Sequence, residues 1–184
     1  MKSYLISGCP EQCRDINQFK SVITQHLSTH KIDYILYRDK QNSDYENFAK
    51  EFLDICANFN LRAILHGDVD LAYKLYAGGV HLTSRQFEEI ERAKSLGMFV
   101  IISTHTLDEA ERAEKLGADA ITFSPIFATP NKGEPKGLAV LKDIVGKINI
   151  KIFALGGIIT QAHIEAIETT GVYGFASIRY FVKE

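Results

Sequence analysis

Apolar positions along the chain alternate between two rhythms. Short, nearly continuous apolar runs recur eight times: Ser3 to Ile6, Asp33 to Tyr37, Leu61 to Leu65, Val80 to Leu82, Met98 to Ile102, Asp119 to Phe123, Lys151 to Leu155 and Tyr173 to Ala176. Runs of this length, rich in Ile, Val, Phe and Tyr, read as strands. Several are apolar on both faces, as parallel strands covered by helices are. Between them the apolar residues fall three or four apart, the spacing of an amphipathic helix. Phe19, Val22, Ile23 and Leu27 follow the first run; Phe48, Phe52, Ile55 and Phe59 follow the second. Shorter helical stretches cover Leu71 to Tyr76, Leu138 to Val145 and Thr160 to Thr170.

Punctuation supports the same division. Ser43 with Glu46, Thr83 with Gln86, and Thr106 with Glu109 have capping-box spacing. Glycines 78, 97, 117 and 171 stand where helices should stop. The last segment, SIRYFVKE, leaves room only for a truncated eighth helix. Eight β/α units in this order predict one domain over residues 1–184, a closed (β/α)8 TIM barrel. It is a lean one, because such barrels typically run to about 250 residues. An open doubly wound sheet is the alternative; the absence of G-x-G-x-x-G after the first strand argues against it.

Composition narrows the function classes. The formal net charge is −2, which provides no basic field for nucleic acid. No apolar run approaches 18 residues and the start lacks a charged n-region before an apolar core, so the chain reads as cytoplasmic, with no membrane partner. Three cysteines make an odd set for disulfides. Cys9 and Cys13, in SGCPEQCRD, supply too few ligands for a closed zinc site and read as reduced thiols.

In a barrel, ligand groups collect where strands end. Those ends hold Arg38 and Lys40, His66 and Asp68, His81, Ser103 and His105, then Thr129, Asn131 and Lys132, then Gly156 and Gly157, and last Ser177, Ile178 and Arg179. The set is rich in donors and cations and poor in carboxylates, which suits a small phosphorylated ligand. Glycines let the backbone approach an anion, and a following helix start adds unpaired amides. Gly156, Gly157, Ser177, Ile178 and Arg179 therefore form the expected phosphate site. Arg38, Lys40, His66, Thr129 and Asn131 are expected to bind the rest of the substrate. Lys132 lies in a long loop of the kind that forms lids and binding segments. His66, His81 and His105 end successive strands; a zinc with an open position is one reading and hydrogen bonding at the barrel mouth the other. His26 and His30, near a helix C-terminus, read as surface residues.

The runs DVDLAYKLYAGGVHL, ISTHTLDEAERAEKLGADAITFSPIFATPNKG and FALGGI together resemble thiamine-phosphate synthase and its TenI-like relatives. The resemblance implies a (β/α)8 barrel that binds a thiazole phosphate and, in true synthases, a pyrimidine pyrophosphate with magnesium. There the pyrophosphate leaves with metal assistance and the thiazole nitrogen captures the pyrimidine cation. The resemblance also implies catalytic roles for Lys132, Ser103 and His105. Both cations of the Gln-x-Arg-x-Lys pattern are present as Arg38 and Lys40, with Leu36 in place of the glutamine. The two aspartates that supply magnesium ligands are replaced by Gly67 and Gln86, and Asp68 is displaced by one. Ser103, His105, Gly156 and Gly157 match, while Thr129-Pro130-Asn131-Lys132 keeps the threonine and lysine of its pattern. The position of the tautomerase histidine holds Pro125.

The implied activity is the joining of a pyrimidine pyrophosphate to a thiazole phosphate, a transferase reaction of thiamine biosynthesis, with the magnesium half degraded. Thiazole tautomerisation and non-catalytic binding of thiazole phosphate or thiamine phosphate are the alternatives. The aromatic tail, Tyr180 and Phe181, is expected either to cover the gap left by the short last helix or to meet a second subunit in a homodimer.

Overall fold

The computed structural model describes residues 1–7 and 15–182. Cys9 and Cys13 lie outside the described residues. Eight parallel strands close on themselves in chain order: β1 (Lys2–Ser7), β2 (Tyr34–Tyr37), β3 (Arg62–His66), β4 (Gly79–Leu82), β5 (Phe99–Thr104), β6 (Ala120–Phe123), β7 (Lys151–Leu155) and β8 (Gly174–Ser177). The described helices are α1 (Ile16–Thr29), α2 (Tyr45–Asn58), α3 (Val69–Lys74), α4 (Glu89–Ser95), α5 (Leu107–Lys115), α6 (Gly137–Lys147) and α7 (Gln161–Glu168). This is the expected (β/α)8 barrel.

The period of two along each strand makes two cores. Tyr4, Ile6, Leu36, Ile64, Ile101, Ala120, Phe153 and Ala176 point inward and fill the barrel. Their neighbours, such as Leu5, Ile35, Val80, Ile102 and Ile121, point outward against Phe19, Ile23, Phe52, Ile90 and Ile144 of the helices. Each fully buried Phe, Ile or Leu contributes about 1.5–3 kcal/mol relative to exposure. At the lower end, Tyr34, Phe99, Phe153 and Tyr173 pack edge and face, and the Tyr34 and Tyr173 hydroxyls meet at 2.9 Å. That aromatic layer fills the barrel interior at its lower end.

Some punctuation works differently from its sequence pattern. The Ser43–Glu46 box does not form. Asp44 occupies the N-cap of α2 without a side-chain hydrogen bond, and the Glu46 carboxylate instead meets Lys50 at 3.0 Å and Lys74 at 2.9 Å. Two nearby ammonium groups outcompete a backbone amide for it. Helix α3 begins at Val69 rather than Leu71, because Asp68 caps it by accepting from the Leu71 N–H at 2.9 Å. It ends with Tyr76 left-handed at φ 56°, not at Gly78. Gly78 serves proximity instead: a Cβ there would lie 3.1 Å from the Ala63 carbonyl oxygen. Gly97, Gly117 and Gly171 do take the left-handed stop, at φ 77°, 85° and 77°. Gln86 reaches back to the Thr83 N–H at 3.0 Å as a capping box would, yet α4 starts only at Glu89.

After β8 the described chain forms a turn rather than a helix. Phe181, 2% exposed, stacks on Phe175 at 5.7 Å and meets the edge of His30 at 5.6 Å. The aromatic tail therefore covers the gap within its own chain. Among the described residues no helix is long and apolar enough to cross a membrane.

Candidate active site

The upper ends of the strands surround a cavity of about 310 Å³. Ile6 and Leu36 form its floor. Arg38 and Lys40 enter from the end of β2, His66 from β3, His81 with Thr83 and Ser84 from β4, Ser103 and His105 from β5, and Ser124, Pro125, Thr129 and Lys132 from the loop after β6. A second hollow of about 330 Å³ shares Thr129, Leu155, Gly156 and Ile178 with the first and adds Gly157, Ser177 and Arg179. The two adjoin across these shared residues and together make up the recess. Larger hollows of about 630 Å³ and 730 Å³ lie between α1 and α7 and across the lower end of the barrel. Neither gathers the strand-end donors, so size alone does not locate the chemistry.

The long loop is tied to β7. The Ile126 N–H donates to the Leu155 carbonyl at 2.9 Å and the Phe127 N–H to the Gly156 carbonyl at 3.0 Å. This close approach requires glycine: a Cβ on Gly156 would lie 2.7 Å from Pro125 Cα, and one on Gly157 2.7 Å from the Ala128 oxygen. Both have positive φ, 99° and 69°. The pair thus joins two loops and bares its backbone at the recess. The Ser177 hydroxyl is engaged elsewhere: it donates to the Ile158 carbonyl at 2.7 Å and accepts from the Tyr180 N–H at 3.1 Å. The Thr129 hydroxyl donates to the Phe127 carbonyl at 3.0 Å. Asn131, left-handed at φ 61°, lines neither hollow. Arg179 is exposed at the rim, and Lys132 reaches the cavity from an exposed loop.

Among the described residues, Arg38, Lys40 and Lys132 line the cavity and no Asp or Glu does. The His66 and His81 imidazoles add no charge at neutral pH. Burial, and then Arg38 and Lys40, push His66 down to about 4. Burial, and then His66 and Arg38, push His81 down to about 3. His105 Nδ1 lies 3.0 Å from the Ser124 carbonyl oxygen, which only an N–H can satisfy, so Nδ1 carries a hydrogen. Beneath the cavity, His81 Nδ1 lies 2.9 Å from the Tyr4 hydroxyl and its Nε2 3.1 Å from Ser103 Oγ. With both ring nitrogens engaged, His81 is not free to join a three-histidine zinc site. Among the described residues no three His, Cys, Asp or Glu are placed to hold a metal ion.

Residues 3–181 match the family described as thiamine monophosphate synthase. The chain belongs to that family. The "Putative thiamine-phosphate synthase 2" of Aquifex aeolicus is 34% identical over 149 residues, covering 79% of this chain and 80% of its own. The "Thiamine-phosphate synthase" of Caldivirga maquilingensis is 36% identical over 150 residues, covering 78% and 72%. Among solved structures, the "Thiamine phosphate pyrophosphorylase from Pyrococcus furiosus" superposes with a TM-score of 0.81 at 27% identity, over 96% of this chain and 85% of its own. An N-acetylmannosamine-6-phosphate 2-epimerase from Clostridium perfringens shares the fold, with a TM-score of 0.76 at 14% identity.

The donor set of this synthase-family barrel does not fit the magnesium of the resemblance. Magnesium demands hard oxygen ligands and is usually held through one or two carboxylates. At the two positions concerned, the Gln86 amide donates to the Gly67 carbonyl at 2.7 Å, while its oxygen accepts from the Thr83 N–H at 3.0 Å and hydroxyl at 2.9 Å. A neutral bridge ties together the loops after β3 and β4. Asp68 is exposed, and one of its oxygens caps α3. Sequence reasoning did not assign Ser84 or Ser124 to the cavity, nor Tyr4 and Thr122 to the network beneath it. The inward parity of Tyr4, His81, Ser103 and Thr122 is visible only once the strands are in register.

Proposed function

We propose that this chain is a cytoplasmic transferase of thiamine biosynthesis, coupling a pyrimidine pyrophosphate to a thiazole phosphate without a bound magnesium ion. The observation that carries this reading is the recess itself: a glycine-lined hollow adjoining a cavity where the described residues place three cations and no carboxylate. The thiazole phosphate would lie against the backbone of Gly156 and Gly157, with Ile178 and Arg179 at its edge. The pyrophosphate would face Arg38, Lys40 and Lys132. The bond between the pyrimidine methylene carbon and the pyrophosphate oxygen breaks and the electron pair leaves with the oxygen. The thiazole nitrogen lone pair then forms the new C–N bond. Fixed cations stabilise the departing charge better than water does, because they need no reorganisation as it develops. His105 faces the same space.

The test is product formation from the two substrates with magnesium and with a chelator. Turnover that survives the chelator supports the proposal; turnover that appears only with magnesium overturns the metal-free part. A second reading, binding of thiazole phosphate without turnover, is favoured by the Gln86–Gly67 bridge, which occupies the positions of the metal ligands. It predicts thermal protection by thiazole phosphate and no product under either condition.

A further inference from the structure

Between the apolar floor of the cavity and the aromatic layer at the bottom, the barrel interior holds a chain of polar groups. Tyr4 and Thr122 are fully buried, His81 is 4% exposed, and Ser103 opens onto the cavity. The Tyr4 hydroxyl lies 2.9 Å from His81 Nδ1. His81 Nε2 lies 3.1 Å from Ser103 Oγ and 3.5 Å from Thr122 Oγ1, and the two hydroxyl oxygens are 3.5 Å apart. Tyr4 is otherwise surrounded by rings and aliphatic groups: Phe153 at 5.2 Å, Tyr34 at 6.1 Å and the inward apolar residues.

Counting protons decides the direction of these bonds. A neutral imidazole carries one N–H and one lone pair. If Nδ1 holds the hydrogen, Ser103 can donate to Nε2 and Thr122 to Ser103 Oγ, but the buried Tyr4 O–H has no acceptor among the described residues. A buried donor left without a partner costs about 1–3 kcal/mol. If Nε2 holds the hydrogen, every buried donor is satisfied. Tyr4 donates to Nδ1, Nε2–H donates to Ser103 Oγ, and Thr122 donates to the other lone pair of the same oxygen. The hydrogen left over is the one on Ser103, and its free direction is the cavity.

We infer that Tyr4 holds His81 as its Nε2–H tautomer, and that His81, with Thr122 donating to the same oxygen, makes Ser103 a committed hydrogen-bond donor aimed at the bound ligand. Tyr4 and His81 are positioning residues that act through Ser103. The complementary ligand atom is an acceptor, such as an oxygen of a phosphate or pyrophosphate group. That identity rests on the proposed function; the tautomer does not. Burial keeps the ring neutral at pH 7, which is the condition for a single, directional N–H.

Two measurements separate the parts. Long-range proton–nitrogen correlation on the uniformly 15N-labelled chain at pH 7 reads the His81 tautomer directly: a protonated Nε2 is expected, and a protonated Nδ1 overturns the inference whatever the protein catalyses. Calorimetric titration with inorganic pyrophosphate reads the donor. Ser103→Ala and Tyr4→Phe should each weaken binding by about tenfold, the equivalent of one hydrogen bond to a charged group, and the double variant no further. Additive losses, or full affinity in Tyr4→Phe, overturn the coupling. Absence of pyrophosphate binding by the unaltered chain removes the proposed ligand, and the tautomer then still stands or falls on the correlation spectrum.

Discussion

Replacing Gly157 by alanine should damage both stability and ligand binding, and the structure separates the two causes. The residue sits at φ 69°, where a non-glycine residue costs about 1–2 kcal/mol. The added Cβ would also lie 2.7 Å from the Ala128 oxygen and 2.7 Å from Phe127 Cβ, inside contact distance of backbone that cannot move freely. Overpacking of that kind adds about 1–3 kcal/mol. Together these predict roughly 2–5 kcal/mol, or a fall in Tm of roughly 5–15 °C for a domain of this size. Gly97→Ala is the control. It has a similar φ of 77°, nothing within 4 Å of its Cβ, and a place at a helix end far from the recess. It should cost only the backbone part. The assay is thermal unfolding of the chain and both variants, with and without thiazole phosphate. Gly157→Ala should melt lower than Gly97→Ala and lose the protection by ligand that Gly97→Ala retains. Equal melting of the two variants, with protection intact in both, refutes the argument.

Further expectations rest on single groups. Gln86→Ala removes both ends of the bridge between the loops after β3 and β4 and should cost about 1–3 kcal/mol by urea unfolding. Magnesium alone, without substrates, should leave the Tm of the unaltered chain unchanged; a dose-dependent rise would mean that oxygen ligands assemble after all. His66 and His81 sit at about 4 and about 3 in the fold, below the usual 6.5, so below pH 6.5 the unfolded chain takes up protons that the folded chain does not. Their stability contribution is complete above that pH and declines as pH falls toward about 4, at up to about 1.4 kcal/mol per unit for each histidine. Urea midpoints between pH 7 and 5.5 should show the decline, and His66→Asn should flatten it; identical slopes would dismiss His66 as a source. Arg38→Ala and Lys132→Ala should each lower pyrophosphate affinity while leaving the far-ultraviolet circular dichroism and Tm nearly unchanged, since both side chains project into the recess.

The barrel was legible in the sequence because its signals are local. Apolar runs, helical spacing and left-handed glycines at 97, 117 and 171 act within a few residues, and they placed all eight strands to within about two positions of the observed ends. The strand ends then named most of the recess, because in a barrel those ends share one mouth. Arg38, Lys40, His66, Ser103, His105, Thr129, Lys132 and Gly156 all line the cavity. What the sequence by itself determined is therefore the period, the closure and the inventory of donors. The direction of each side chain was decided by tertiary structure. Ser177 lines the glycine-bearing hollow, as a strand-end residue should, but odd parity in β8 turns its hydroxyl to the Ile158 carbonyl. Glu46 has the spacing of a capping residue, but Lys74, 28 residues later, takes the carboxylate. Tyr4 and His81 are 77 positions apart and become partners only because β1 and β4 face each other across a closed sheet. Contacts across that distance depend on register and barrel closure, and no window of sequence contains either.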